Sequence, residues 1–228
     1  MLRENLRIVF ISDLHNCFYG GKSQKKIYKK IEDFNPDIVL FGGDVIDEYG
    51  STENALTLMK KVSQKYPCAY SAGNHECSRD DIKSFYEDVK SLDIKVLDGD
   101  FCDFTVKNQK VRVYGIVNYF SNECDFDSDY NILLMHQPEK FEPYNYDLTK
   151  FDLILSGHAH GGQWRLPFVL EQGLFAPNQG FFPQYTNGKY EWGKCTHIIS
   201  KGLARPLRMI FIPRIFNRPE LSLIEIAK

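Results

Sequence analysis

Short aliphatic runs alternate along the chain with stretches whose apolar residues recur every three or four positions. Leu6 to Ser12 is aliphatic and rich in β-branched residues, which predicts a buried strand. Ser23 to Phe34 spaces Ile27, Ile31 and Phe34 along one helix face, with Ser23 at an N-cap position and Pro36 as the stop. Asp37 to Phe41 predicts a second buried strand, closed by Gly42 and Gly43. Ser51 to Lys65 predicts a helix with Ala55, Leu58, Met59 and Val62 inward. Cys68 to Ser71 predicts a third strand and Asp80 to Leu92 a third helix. Such alternation implies βαβ units and a largely parallel sheet.

After residue 100 the pattern turns to β. Phe101 to Val106 and Lys110 to Ile116 flank Lys107-Asn108-Gln109 and read as a hairpin. Asn131 to Met135 and Leu153 to Ser156 predict further buried strands. Thr196 to Ser200 and Leu221 to Ile226 are β-like again. The expectation is an α/β fold of two sheets packed face to face with helices outside, in one domain over residues 1–228. Residues 161–193 break the pattern with six glycines, three prolines and eight aromatic residues. Irregular segments of this length are usually functional. The rings either form a lid or a site for an apolar leaving group, or pack down to stiffen the loop.

Composition narrows the partners. Of the 228 residues, 43% are hydrophobic and 25% charged, ordinary for a soluble globular protein. A net charge of -2 gives no whole-molecule attraction to nucleic acid, and none is expected as a partner. Six irregularly spaced cysteines without a CxxC pair read as reduced thiols. No apolar run approaches the ~18 residues that span a bilayer. Met1-Leu2-Arg3-Glu4 enters a strand at once, without a signal-peptide core. The expected location is cytoplasmic. Arg205 to Arg218 interleaves four arginines with apolar residues, a mixture suited to weak contact with the inner face of an anionic membrane. A strand followed by a basic loop explains the same segment more simply.

The candidate chemistry lies in the histidines. Five of the six fall in short polar motifs at or after strand-like runs. The motifs are Asp13-Leu14-His15, Gly43-Asp44, Gly73-Asn74-His75-Glu76, His136, and Gly157-His158-Ala159-His160. In open α/β sheets ligands bind beyond the carboxyl ends of strands, so one edge of the molecule should gather all of these residues. Imidazoles, carboxylates and one amide oxygen are the donors that two adjacent divalent cations need. With Asp13 and Asp44 as the only carboxylates, such a site keeps a net positive charge and attracts phosphate. His197 lies outside any motif and reads as structural. Asp47 and Glu48 read as loop charges, Cys17 as a core residue more readily than a soft ligand, and Gln163 and Arg165 as candidate substrate contacts.

In this order the motifs resemble those of the calcineurin-like metallophosphoesterases, from Arg7 to about Ile226. The resemblance implies a four-layer α/β/β/α sandwich of two mixed sheets flanked by helices. It implies Asp13, His15 and His160 on one metal, Asn74, His136 and His158 on a second, and Asp44 bridging. His75 would contact phosphate and protonate the leaving oxygen. The purple acid phosphatase variant has Tyr where this chain has Asp47, so no tyrosinate ligand is expected. His158-Ala159-His160-Gly161-Gly162-Gln163 is similar to a bacterial subgroup of small phosphodiesterases, some acting on lipid-linked nucleotide sugars. The implied activity is cleavage of phosphoester or pyrophosphate bonds by a hydroxide bridging two divalent ions, Mn, Fe or Zn. A phosphomonoesterase or protein phosphatase, and a non-catalytic scaffold, are the alternatives.

Overall fold

The computed structural model describes residues 2–117, 126–140, 148–204 and 214–228. Strand β1 (Leu6–Ile11) leads to helix α1 (Lys25–Phe34), β2 (Ile38–Gly42), α2 (Glu53–Ser63) and β3 (Cys68–Ser71). A one-turn helix α3 (Asn74–Cys77), then α4 (Ile82–Ser91) and β4 (Lys95–Leu97), complete the βα half. The β half comprises β5 (Phe101–Val106), β6 (Gln109–Ile116), β7 (Tyr130–Met135), β8 (Leu153–Ser156), β9 (Phe175–Ala176), β10 (Gly180–Phe181), β11 (Gly188–Trp192), β12 (Cys195–Ile199) and β13 (Ser222–Ile226).

Two mixed sheets result. The first has the order β13-β1-β2-β3-β4, parallel except for β13; the second has the order β11-β12-β8-β7-β6-β5, antiparallel only at its two edges. Between them Phe10, Leu40, Val113, Leu134 and Leu155 bury completely. The other face of the first sheet packs on α1, α2 and α4 through Ile31, Leu58, Val62 and Val89. Tyr114, Leu133 and Ile154 on the outer face of the second sheet are covered by Phe126, Phe151, Tyr185 and Trp192. Among the described residues this outer layer also carries short 3-10 turns, at Pro138–Lys140 and Leu148–Lys150. The α/β arrangement of two mixed sheets with helices outside is the one expected from the strand pattern.

Local details depart from expectation for identifiable reasons. Helix α1 starts two residues after Ser23, behind Gln24 in a left-handed conformation (φ 56°). The Gln24 amide receives the Tyr19 N–H and donates to the carbonyls of Cys17 and Asn54, a reach that a serine lacks. The β5–β6 hairpin closes with two residues rather than three. Lys107 and Asn108 both take positive φ and Gln109 pairs with Val106, the backbone of a type I′ turn. In the aromatic loop the rings divide. Tyr185 and Trp192 pack on the second sheet, while Phe168, Phe181 and Phe182 face outward.

The five described cysteines form no disulfide, and Cys17 lies in the helix-side core. Cys124 and most of the Arg205 to Arg218 segment lie outside the described residues. No helix among the described residues is long and apolar enough to cross a membrane.

The inter-sheet layer is one of the two large apolar stores. Leu134→Ala should lower the unfolding free energy by about 2–5 kcal/mol in urea, through lost burial and a residual cavity. Leu223→Ala, on an exposed β13 position, should stay within about 0.5 kcal/mol.

Candidate metal centre

The loops that follow β1, β2, β3, β7 and β8 meet at one edge. Backbone hydrogen bonds lace them together: the Asp13 N–H donates to the Gly43 carbonyl (3.0 Å), the His15 N–H to Asp44 (3.0 Å) and the Gly157 N–H to His136 (3.0 Å). Asp13, His15, Asp44, His158 and His160 all take positive φ, between 46° and 67°. Such a conformation costs a non-glycine residue about 1–2 kcal/mol. Five cases in one pocket are the kind of stored strain that accompanies function. Two glycines make the crowding possible. A Cβ on Gly73 would lie 2.2 Å from an Asp44 oxygen, and one on Gly157 would lie 2.3 Å from Asp13 Oδ2.

Glu76 holds the centre from behind. It is fully buried, and its carboxylate accepts the N–H groups of Asp44 (2.8 Å), Val45 (2.7 Å), Ile46 (3.1 Å) and Gly73 (2.8 Å). It thus fixes the turn after β2 and caps α3 in one stroke. Burial and the nearby Asp44 carboxylate raise its pKa to about 7, while its N–H donors pull the other way.

The side chains converge in three overlapping groups that could hold metal ions: Asp13, His15 and His160; His15, Asp44 and His75; and Asp44, His136 and His158. Asp44 Oδ2 lies 2.9 Å from His136 Nε2, 3.8 Å from His75 Nε2 and 3.9 Å from His15 Nε2. Asp13 Oδ1 lies 3.7 Å from His160 Nε2 and 3.9 Å from His136 Nε2. The two carboxylates are bound alike. Oδ1 of Asp44 accepts the His75 N–H (2.9 Å) and Oδ1 of Asp13 accepts the His158 N–H (2.8 Å). Oδ2 of each is buried without a hydrogen bond. So are Nε2 of His15, Nε2 of His136 and Oδ1 of Asn74. Orphaned buried polar atoms are rare and demand a partner. With the imidazoles deprotonated, every one of these has a lone pair to offer, and divalent cations fit that donor set.

Neighbours orient the rings. His15 Nδ1 donates to Asp47 Oδ1 (2.7 Å) and His136 Nδ1 to the Gly42 carbonyl (2.8 Å). Each bond leaves Nε2 facing the centre, the usual way of presenting imidazole to a metal. His158 contacts the amide nitrogen of Asn178 (3.0 Å), which also donates to Glu139 (3.0 Å). The Arg214 guanidinium donates to His160 Nδ1 (3.1 Å), so a neutral His160 carries its proton on Nε2 and must lose it to bind a cation there.

Electrostatics divides the cluster. Burial opposes ionisation of Asp44, but the His136, His15 and His75 rings hold its carboxyl below the usual range. Burial also opposes a charged His136, yet the Asp44 carboxylate raises its pKa to about 10, so a cation binding at its Nε2 must displace a proton. Burial pushes His158 down to about 3 and lowers His75, which favours neutral rings there.

All the residues that the motifs single out therefore meet at this edge, His75 at the rim with its side chain partly exposed. Several contributors are new. Asp47 contacts His15 instead of standing as a loop charge, because the turn that Glu76 fixes aims it inward. Arg214, at the end of the basic segment, is buried against His160 and is not a surface cation. Glu139, Asn178 and Asn217 carry no motif that could have marked them. Gln163 is buried and Arg165 half-buried. His197 lies within β12 beside Ser156 Oγ (2.8 Å), in its structural place.

The pattern has close parallels. A family model for the calcineurin-like phosphoesterases matches residues 6–162, more than half of the chain. The chain belongs to the calcineurin-like phosphoesterase family. A metallophosphoesterase of Campylobacter jejuni is 30% identical over 93% of this chain, which spans 58% of that relative's length. Phosphodiesterase YaeI of Escherichia coli is 27% identical over 97% of the chain and 82% of its own. Among solved structures, phosphopantetheinyl hydrolase from Mycobacterium tuberculosis superposes with a TM-score of 0.57 at 10% identity, covering 99% of this chain and 97% of its own. An archaeal phosphodiesterase gives 0.52 at 11% identity, covering 98% and 100%. These two likenesses show a shared fold. A phosphoester-hydrolase family and clusters able to bind metal are thus established together.

Glu76 gives the sharpest structural test. Glu76→Ala would orphan four backbone N–H groups, and at about 1–3 kcal/mol for each buried donor the unfolding free energy in urea should fall by at least ~4 kcal/mol. Glu225→Ala, exposed on β13, should change it by no more than about 0.5 kcal/mol.

Proposed function

We propose that the protein is a metal-dependent phosphodiesterase with two divalent ions, Mn, Fe or Zn, sharing Asp44. The carrying observation is the pair of buried carboxylate oxygens, Asp13 Oδ2 and Asp44 Oδ2, that no backbone N–H holds and that face imidazole nitrogens. Asp13, His15 and His160 would hold one ion, and Asn74, His136 and His158 the other. When bound, the ions supply Lewis-acid polarisation of the phosphoryl group and an activated water.

The chain's own residues do the rest. Asp44 is shared by the His15/His75 group and the His136/His158 group, and His15 links it to the Asp13/His160 group. Asp47 and the Gly42 carbonyl keep His15 and His136 in the metal-binding tautomer. His75 stands at the open rim, 3.8 Å from Asp44 Oδ2, where it would hydrogen-bond the phosphoryl group and pass a proton to the leaving oxygen. The diesterase reading draws support from YaeI, a phosphodiesterase by name. A small phosphodiester, nucleotide-sugar or lipid-linked phosphoester is the substrate class, and action from the cytoplasm at a membrane surface suits it.

Turnover of bis-p-nitrophenyl phosphate against p-nitrophenyl phosphate with added Mn tests this. The diester should be the better substrate; turnover of the monoester alone would overturn the diesterase reading, and turnover of neither with metal bound would point to a scaffold. His75→Ala should lower kcat about 10²–10⁴-fold with metal content unchanged by elemental analysis. Asp44→Asn should abolish activity and weaken both ions.

A further inference from the structure

Twelve large apolar side chains are exposed among the described residues, and eight of them fall in 164–169, 181–182 and 215–216. Phe168 is 94% exposed, Phe216 73%, Phe182 72% and Phe181 70%. Backbone bonds join the segments into one surface. Trp164 and Ile215 form a parallel bridge, the Leu174 N–H donates to Trp164 (2.8 Å), and the Phe182 N–H donates to Leu174 (2.9 Å). Phe168 tips the small hairpin that Leu166 and Leu170 close, and Phe175 packs against Phe181 with ring centroids 5.6 Å apart.

This crown is rooted on the metal centre. Asn178, in the turn between β9 and β10, reaches His158. Arg214 and Asn217, flanking Ile215 and Phe216, donate to the His160 ring and the His160 carbonyl. A contiguous exposed apolar patch of this kind marks a contact surface.

Charge decides the partner. Leaving out the buried Arg214, residues 161–219 carry seven Lys and Arg against two Glu, with Arg218 exposed and Arg165 half-buried in the crown's own segments, although the chain as a whole has a net charge of -2. Exposed aromatic tips in a cationic segment match the requirements of a bilayer carrying anionic lipid, with rings entering the interfacial zone and cations attracted to the headgroups. We infer that the 164–182 and 214–218 crown docks on anionic lipid bilayers and turns the metal centre toward the lipid headgroups. The inference rests on the surface alone, and its test reads binding rather than turnover.

The test is co-sedimentation of the full chain with vesicles of phosphatidylglycerol and phosphatidylcholine at low salt, alongside phosphatidylcholine alone. Trp164, inside the crown, reports the contact by a blue shift of its emission in a Trp192→Phe background. The protein should pellet with anionic vesicles only, and less so as salt rises. Phe181→Ser with Phe182→Ser, and separately Phe168→Ser, should each cut the bound fraction at least fivefold with unchanged thermal unfolding. Phe101→Ser and Leu223→Ser, exposed apolar positions elsewhere, should bind as the parent does. Absence of binding to anionic vesicles, or equal loss in all variants, would overturn the inference. So would a concentration-dependent dimer that the Phe181/Phe182 double variant abolishes, since the crown would then cover a second copy.

Discussion

The structure turns on a buried carboxylate with one oxygen on a backbone N–H and the other facing imidazoles. Asp44 lies under the protein surface with Oδ1 held by the His75 N–H and Oδ2 facing three imidazoles. A carboxylate in that position is costly unless something cationic meets it. The fold nonetheless enforces the arrangement. The turn carrying Asp44 is clamped by Glu76, the opposing loop approaches because Gly73 has no side chain, and neighbouring loops are bonded through their backbones. The energy for this comes from elsewhere, chiefly the apolar layers on either side of the first sheet. A sheet edge built this rigidly can hold donors apart from one another while leaving their lone pairs unused.

Much of that architecture is legible in the sequence. Period and composition locate β3, β5 and β8 at their observed bounds and the long helices within two or three residues. These elements are buried on predictable faces, so hydrophobic spacing carries the signal. Elements that escape are those not held by periodicity. The two-residue strands β9 and β10 exist through pairing alone, and α3 is a single turn set by Glu76. The start of α1 depends on where a glutamine amide can reach, which no local pattern reveals.

The candidate site divides in the same way. Residues that follow strands are marked by position, since strand ends share an edge, and Asp13, Asp44, His136 and His158 come together as that geometry requires. The residues that orient them are not marked. Asp47 meets His15 across 32 positions and Arg214 meets His160 across 54, through contacts that only the folded chain creates. Arg214 also changes the reading of its segment. A basic residue in an apolar run looked like surface, and it is instead buried beside an imidazole.

On the function proposed above, two cations would share the Asp44 carboxylate. Anomalous diffraction from crystals grown with Mn measures this most directly. Two peaks are expected flanking Asp44, about 3.5–4 Å apart, one beside Asp13 and one beside Asn74. A single peak, or peaks away from Asp44, would contradict it.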